Sequence, residues 1–427
     1  MAAAFPQISR TSVPAFCVGF YFAARVVTTV VLVRLLGEDP QAGTAASLAS
    51  NLLMFVFVCL FELGTSKDDP HYKLDLTSIR WVFVYLAFSS CSLLWSAAAS
   101  PSSSAAHWLG TASDVAIALL LLRRDATNTA ALSMMDGFIW GACFIALIAW
   151  ILPTQYDLRI GDEDYLNPNT IGNLCAFAIF FAQYFVRTGR GRWGAAIFFL
   201  AITLLRTLSK TAIVAFFLSE GYLILRDRAL TRRTKIYLAL AATIVIVAFW
   251  GLFEAYFDFY TTYGNQSETL TGRTAIWLYA GEAVLEKPWI GYGFDSMWKV
   301  VPAFGIFEAR HAENEILEQF YSYGVVGLVM LAALYGGVYR RLRKLAKGPL
   351  RMTLAGLLSF VLIRGLAEAE PFDLLLPLWS IVLITSLVPR ADAAEQGTEL
   401  TPLLPINLST LSPPQVLTSS TTPHPYS

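Results

Sequence analysis

The apolar positions of this chain come in long runs, with polar residues largely confined to the gaps between them. The runs fall at 15–36, 44–63, 80–98, 107–122, 135–152, 170–187, 193–207, 209–226, 234–254, 313–338, 351–367 and 372–389. About 20 apolar residues make a helix long enough to cross a bilayer, and shorter runs suffice inside a bundle. Residues 193–225 could form one helix, but Arg206, Ser209 and Lys210 interrupt the run. The pattern therefore predicts two short helices joined by a tight turn. The fold class that follows is an all-α polytopic membrane protein of twelve transmembrane helices. One long, partly helical outer loop precedes the tenth.

Charge tests this count, because basic residues collect on the inner side of a membrane. With the N-terminus inside, the inner loops hold Lys67, Lys73 and Arg80, then Arg123 and Arg124, then Arg187, Arg190 and Arg192. They go on to hold Arg226, Arg228, Arg232, Arg233 and Lys235, and a last cluster from Arg340 to Arg351. With Arg10 and Arg390 these are most of the 31 basic residues. Outer loops such as Gly37 to Pro40 and Gly161 to Asp164 are acidic. Merging helices seven and eight would invert every later loop and destroy the bias. The organisation predicted is nine helices over 1–254, an outer loop or lid over 255–312, helices ten to twelve over 313–390, and a tail over 391–427. That tail is rich in Pro, Ser and Thr and reads as disordered and cytoplasmic.

Composition agrees: 56% of the chain is apolar and 15% charged, more apolar surface than a soluble core could bury. The first run contains Arg25 and ends without a small-residue cleavage site, so it reads as a retained helix. Cys17, Cys59, Cys91, Cys143 and Cys175 all fall within apolar runs, which argues against a disulfide or metal framework.

Four features carry candidate chemistry. The outer loop holds Arg273, Lys287, Lys299 and Arg310 on the side that should lack cations, which points to an anion site or to a plain lid packed on the bundle. Arg310-His311-Ala312-Glu313-Asn314-Glu315 leads into the tenth helix. On a continuous helix His311, Asn314, Glu315 and Glu318 would share one face; the alternative is an ordinary polar start to an interfacial helix. Arg206 and Lys210 flank the turn between helices seven and eight, as anion contacts or as snorkelling cations. Asn167-Pro168-Asn169 caps helix six, and Arg364, Glu368, Glu370 and Asp373 cluster at the outer ends of helices eleven and twelve, where an internal Arg–Glu pair is expected. No phosphate-binding lysine loop, dinucleotide glycine pattern, His-Glu-x-x-His or nucleophile elbow is present, so nothing calls for a nucleotide or a zinc ion.

Together these landmarks resemble the O-antigen ligase/polymerase superfamily, the Wzy, WaaL and ExoQ-type proteins. The matching residues are Asn167-Pro168-Asn169, Ser209-Lys210-Thr211, Gly272-Arg273 with Trp277, and Lys287-Pro288-Trp289-Ile290-Gly291-Tyr292-Gly293-Phe294. Further matches are His311 to Asn314, Gly324 to Leu328, and Ile363-Arg364-Gly365-Leu366 with Glu368. The resemblance covers roughly residues 160–390 and implies a bacterial inner-membrane location, a periplasmic active site and cytoplasmic termini. It implies a metal-independent membrane glycosyltransferase that needs no cofactor. Its partners would be polyprenyl-diphosphate-linked glycans as donor and acceptor, the lipid bilayer and a chain-length regulator, with no nucleic acid. In a polymerase the growing chain moves onto the next lipid-linked repeat; in a ligase it moves onto a lipid A core.

A diphosphate leaving group needs matching positive charge, which arginine and lysine supply when no metal does. Arg273 and Lys210 take that role, with Arg206 and Arg310 in support. The acceptor hydroxyl needs a base, either His311 or, because Glu313 stands directly before Asn314, a carboxylate. Asn169, Asn314, Arg364 and Glu368 are supporting residues. The family commonly has arginine at the position of Lys210. Two other readings compete: a metal-dependent polyprenyl-sugar transferase built on Glu38-Asp39, and a transporter or flippase of lipid-linked sugars, which would carry charges near the midplane and repeated halves.

Overall fold

The computed structural model describes residues 11–64, 76–123, 128–152, 159–161, 166–227, 230–248, 270–298, 300–301 and 309–387. The tail over 391–427 and, within the outer loop expected over 255–312, residues 255–269, Lys299 and 302–308 lie outside the described residues. Helices run Val13–Ala24 (α1), Val26–Val30 (α2, continued by a π-helical turn at Val31–Leu35), Pro40–Gly64 (α3), Leu76–Ser92 (α4) and Pro101–Leu122 (α5). Next come Thr129–Ile151 (α6), Pro168–Arg187 (α7), Trp193–Arg206 (α8), Lys210–Arg226 (α9) and Arg232–Ala248 (α10). Leu270–Glu286 (α11), Glu315–Lys344 (α12), Pro349–Arg364 (α13) and Leu378–Leu387 (α14) complete them. Among the described residues there is no strand.

A helix, or a bent pair of them, coincides with each of the twelve expected runs. Length and composition qualify five as membrane-capable, α3, α5, α6, α7 and α12, and a sixth when α1 and its continuation to Arg34 count as one span bent by 50°. Many helix residues face outward with large apolar side chains, among them Leu52, Leu60, Phe198, Phe217, Leu225 and Val329. An apolar surface this extensive needs lipid to cover it.

The expected division of 193–225 is present. α8 ends at Arg206, Leu208 takes a left-handed backbone (φ 54°), and α9 begins at Lys210. The core is built on close crossings. α1 meets α6 where a Cβ on Gly19 would lie 2.0 Å from Met134 O, and one on Gly137 2.0 Å from Phe16 O. Small residues let backbones approach in this way when burial in lipid gives no drive of its own. Beside this crossing Phe138, Phe177, Phe180, Phe181, Phe360 and Trp379 interlock.

The feature that positions the site is a break in α12. Gly324 has φ 64° and ψ −155°, a conformation open to glycine alone, and it interrupts the helical ladder. The freed groups are taken up by residues 288–293. Tyr292 N–H donates to Tyr321 O (3.0 Å) and Gly293 N–H to Ser322 O (2.8 Å). In return Val325 N–H donates to Pro288 O (2.8 Å) and Val326 N–H to Trp289 O (3.3 Å). The contact is backbone to backbone. A Cβ on Gly291 would lie 2.4 Å from Tyr321 O, and one on Gly324 2.3 Å from Trp289 C. The same loop docks on the α4–α5 corner through Phe294 N–H to Ser92 Oγ (3.0 Å) and Ser104 Oγ to Asp295 Oδ2 (2.7 Å).

Gly324→Ala should therefore destabilise the fold by roughly 1–3 kcal/mol, from the strained backbone plus the clash. Gly336→Ala, in the same helix but with open space around the added Cβ, should be neutral or slightly stabilising, because glycine weakens a helix interior. Unfolding of the two variants in detergent micelles measures the difference.

Candidate active site

α12 begins at Glu315 because Asn314 caps it: the Asn314 side-chain oxygen accepts from Leu317 N–H (3.0 Å), and its amide donates to Leu366 O (2.9 Å). This corrects the expectation that His311, Asn314, Glu315 and Glu318 share one helical face. The cap ends the helical phase, Glu313 turns left-handed (φ 50°), and His311 sits on the turn before the helix. Glu315 and Glu318 point elsewhere. Glu315 Oε1 accepts from Tyr335 Oη (2.6 Å) and Leu375 N–H (2.8 Å), which ties α12 to the segment before α14. Glu318 accepts from Ala312 N–H (2.7 Å) and so folds the turn back on the helix, while Trp277 of α11 clamps it from the other side by donating to Ala312 O (2.9 Å).

On this clamped turn a charge cluster assembles. Arg273 of α11 approaches Glu313 (Nη2–Oε2 3.2 Å), with each side chain less than 15% exposed. His311 faces two glutamates: Nδ1 is 3.9 Å from Glu313 Oε1, and Nε2 is 3.9 Å from Glu368 Oε1. Glu368 is buried and also faces Arg364 (Nη2–Oε2 3.7 Å), whose Nη1 lies 3.9 Å from Glu370 Oε1. The internal Arg–Glu pair expected from the sequence is present. Except for Arg273–Glu313, these separations exceed hydrogen-bond length. Among the described residues Arg364 Nε and Nη1 and Arg273 Nε are buried with no hydrogen-bond partner. Buried guanidinium donors in that state call for an explanation, and a polar ligand would supply one.

The turn between α8 and α9 joins the cluster through Thr211, which donates to Glu368 Oε2 (3.4 Å). Lys210, exposed, stands next to it at the start of α9. Asn169 secures the turn from α7: its Oδ1 accepts from Ser209 Oγ (2.7 Å), and its own N–H is capped by Asn167 (2.7 Å). A residue that sequence reasoning missed completes this joint. Arg159, 1% exposed, donates to Asn169 Oδ1 (3.0 Å) and to Thr207 O (3.1 Å). Its only sequence signal was a cation in an acidic outer loop, two residues before Gly161. Arg206 is the last residue of α8. Arg310 is exposed, with its guanidinium 5.7 Å from the centre of the Trp298 ring.

Two electrostatic consequences follow. Glu313, Glu368 and Glu370 outnumber Arg273 and Arg364, so a neutral His311 leaves one excess negative charge in the cluster. Burial would lower the His311 pKa, but Glu313, Glu368, Glu318 and Glu370 together outweigh it and hold the imidazole above its ordinary value. The Glu313 N–H donates to Nδ1 (3.2 Å), so the neutral ring carries its proton on Nε2, toward Glu368. His311, Glu313 and Glu368 could offer three ligand atoms within 4.8 Å of one another. Arginines already face both carboxylates, Arg273 at Glu313 and Arg364 at Glu368.

Comparison with known proteins follows the same residues. Residues 195–332 match the O-antigen ligase family model, a stretch from α8 into α12 that contains Arg206, Lys210, Arg273, Arg310, His311, Glu313 and Asn314. The chain is 26% identical over 365 residues to the exopolysaccharide production protein ExoQ of Rhizobium meliloti, covering 75% of this chain and 82% of that protein. It is also 30% identical over 100 residues to an O-antigen ligase of Pseudomonas aeruginosa, covering 23% of this chain and 25% of that one. The resemblance to the O-antigen ligase/polymerase superfamily is therefore supported well beyond the short motifs. A polysaccharide ligase- or polymerase-type function is favoured over a transporter.

The cluster predicts the direction of a titration. Glu313→Gln removes one of the carboxylates that hold His311 protonated, so the His311 pKa should fall. Ring chemical shifts of the full-length protein against pH, with His311→Gln identifying the resonance, measure it. An unmoved titration would remove Glu313 from the proton balance of the site.

Proposed function

We propose that this chain is a glycosyltransferase of the inner membrane that polymerises polyprenyl-diphosphate-linked oligosaccharide repeats at the periplasmic face. The observation that carries the reading is Arg273 held against Glu313 on the turn that carries His311, beside the Lys210 turn. In the reaction an acceptor hydroxyl oxygen attacks the anomeric carbon, the bond from that carbon to the phosphate oxygen breaks, and the diphosphate leaves with the electron pair. The hydroxyl proton passes to His311 Nδ1, which gives up the Glu313 N–H contact to take it.

The charge balance gives the residues distinct roles. A diphosphate brought next to Glu313 and Glu368 would be repelled unless Arg273 exchanges its carboxylate for the phosphate. Lys210 and Arg206, with Arg310, supply the charge that makes this exchange favourable. Glu313 then serves to hold Arg273 in place between turnovers. A neutral His311 is the form that accepts the proton, so the raised pKa means that transfer should weaken as pH falls through it. Metal independence follows from this reading, since guanidinium and ammonium groups neutralise the leaving group.

The ligase reading differs only in the acceptor, and alignment over most of a protein named for exopolysaccharide production supports the polymerase. Deletion of the gene should leave short lipid-linked repeats if the protein polymerises, and long chains unattached to lipid A if it ligates. In either case Arg273→Ala and His311→Ala should lower transfer by about 10²–10³-fold. Normal polymer length in both variants would sink the site assignment. EDTA should leave activity intact, and so should Glu38→Ala; loss of activity in both tests would favour the metal-dependent rival. For topology, Lys210→Cys should react with a membrane-impermeant thiol reagent in spheroplasts, whereas Arg232→Cys should need permeabilised membranes.

A further inference from the structure

At the opposite end of the bundle from His311 a second polar site has no part in the proposed transfer. α7 runs from Asn169, beside the Lys210 turn, to Arg187. At 20 residues it spans about 30 Å, so the α7–α8 loop lies at the far surface. There a cavity of about 420 Å³ is lined by Thr11, Asp136, Arg190, Gly191 and Arg192, a size within the usual range for small-ligand sites.

The lining is built rather than incidental. Asp136 is 6% exposed; its Oδ2 takes Arg192 Nη2 at 3.5 Å, and its Oδ1 is buried without a partner among the described residues. The Trp193 Nε1 donor, also buried, is in the same state. The two arginines are held by aromatic faces: Arg190 over Phe185 at 4.9 Å and Arg192 over Trp193 at 5.3 Å. Trp193 in turn meets Trp140 edge-on at 5.7 Å, and Trp140 is half exposed one helical turn deeper than Asp136. Trp193, the first residue of α8, stands at a helix end, where tryptophan marks the depth of lipid headgroups.

We infer that this cavity binds the headgroup of an anionic glycerophospholipid of the phosphatidylglycerol kind. Arg190 and Arg192 take the phosphate, and a headgroup hydroxyl donates to Asp136 Oδ1. The charge decides the class. Two guanidiniums against one carboxylate leave one positive charge, which a monoanionic phosphodiester cancels and a zwitterionic headgroup does not. The inference is independent of the transfer reaction at the other face.

The test uses the full-length chain in phosphatidylcholine nanodiscs that contain a minor share of phosphatidylglycerol or of phosphatidylethanolamine. Native mass spectrometry then counts the lipids retained. Wild type should hold phosphatidylglycerol about tenfold over phosphatidylcholine, the scale of one charge-assisted contact pair. The Arg190→Gln, Arg192→Gln double variant should lose that preference while melting like the wild type. Equal retention of phosphatidylglycerol and phosphatidylcholine by the wild type overturns the site, whatever the variant does. Retention of phosphatidylethanolamine as strong as that of phosphatidylglycerol overturns the anionic assignment. An unchanged preference in a folded double variant overturns the two arginines.

Discussion

A helix broken inside a membrane protein must find partners for every backbone group it frees, because hydrocarbon offers none. α12 breaks at Gly324, and four of its backbone groups are met by residues 288–293 in a short backbone-to-backbone joint. Leaving any one unpaired would cost about 1–3 kcal/mol. The joint is therefore hard to open, and much else depends on it. It holds the end of α11 against α12, presses Asp295 and Phe294 onto the α4–α5 corner, and leaves the turn before α12 no freedom to drift. His311 stands on that turn. Its position is set by backbone satisfaction some ten residues away more than by anything it touches itself.

Upon this frame the charge cluster is assembled loosely. Arg364 is almost fully buried, yet its carboxylate partners stand at 3.7 and 3.9 Å. A cluster optimised for stability would close those gaps, since a buried guanidinium with idle donors is costly. The looseness is consistent with a site that holds its cations in readiness for a phosphate. The excess of carboxylate over guanidinium has a second effect: it keeps His311 inclined to hold a proton while no polyanionic substrate is near. An arriving diphosphate would compete with those glutamates for Arg273. Substrate binding and the proton affinity of His311 are then coupled through Glu313, which touches both.

Much of the fold was legible because lipid imposes one rule along the whole chain. Hydrophobic runs located the helices, and the interruption at Arg206 to Lys210 divided α8 from α9 as expected. What the pattern missed was local backbone geometry. The face drawn through His311, Asn314, Glu315 and Glu318 assumed a continuous helix, whereas Asn314 has the side chain of a helix cap and used it. The α12 break was hidden for a related reason: a glycine within an apolar run looks the same whether it continues the helix or ends it. Arg159 was invisible because its role depends on Asn169 and Thr207, distant in sequence and brought together only by packing. Of the candidate site, Arg273, His311, Glu313, Glu368 and Arg364 do converge. Arg310 instead lies over Trp298 at the surface.

Lys210 adds an argument that geometry alone would miss. It is the first residue of α9, where the unpaired amides of a helix start already carry partial positive charge. A cation there is unfavourable by a few tenths of a kcal/mol or more, and an acidic or neutral residue would serve the helix better. The next residue, Thr211, is bound to Glu368, so this unfavourable start is held beside the His311 cluster. Two sources of positive potential, the helix end and the ammonium, thus add at one edge of a site whose centre is negative. Such an arrangement serves the helix poorly and an anion well. A lysine lacks the planar fork of an arginine but keeps a mobile point charge, which on the proposed reading would suit a group that meets the diphosphate at the rim while Arg273 grips it within.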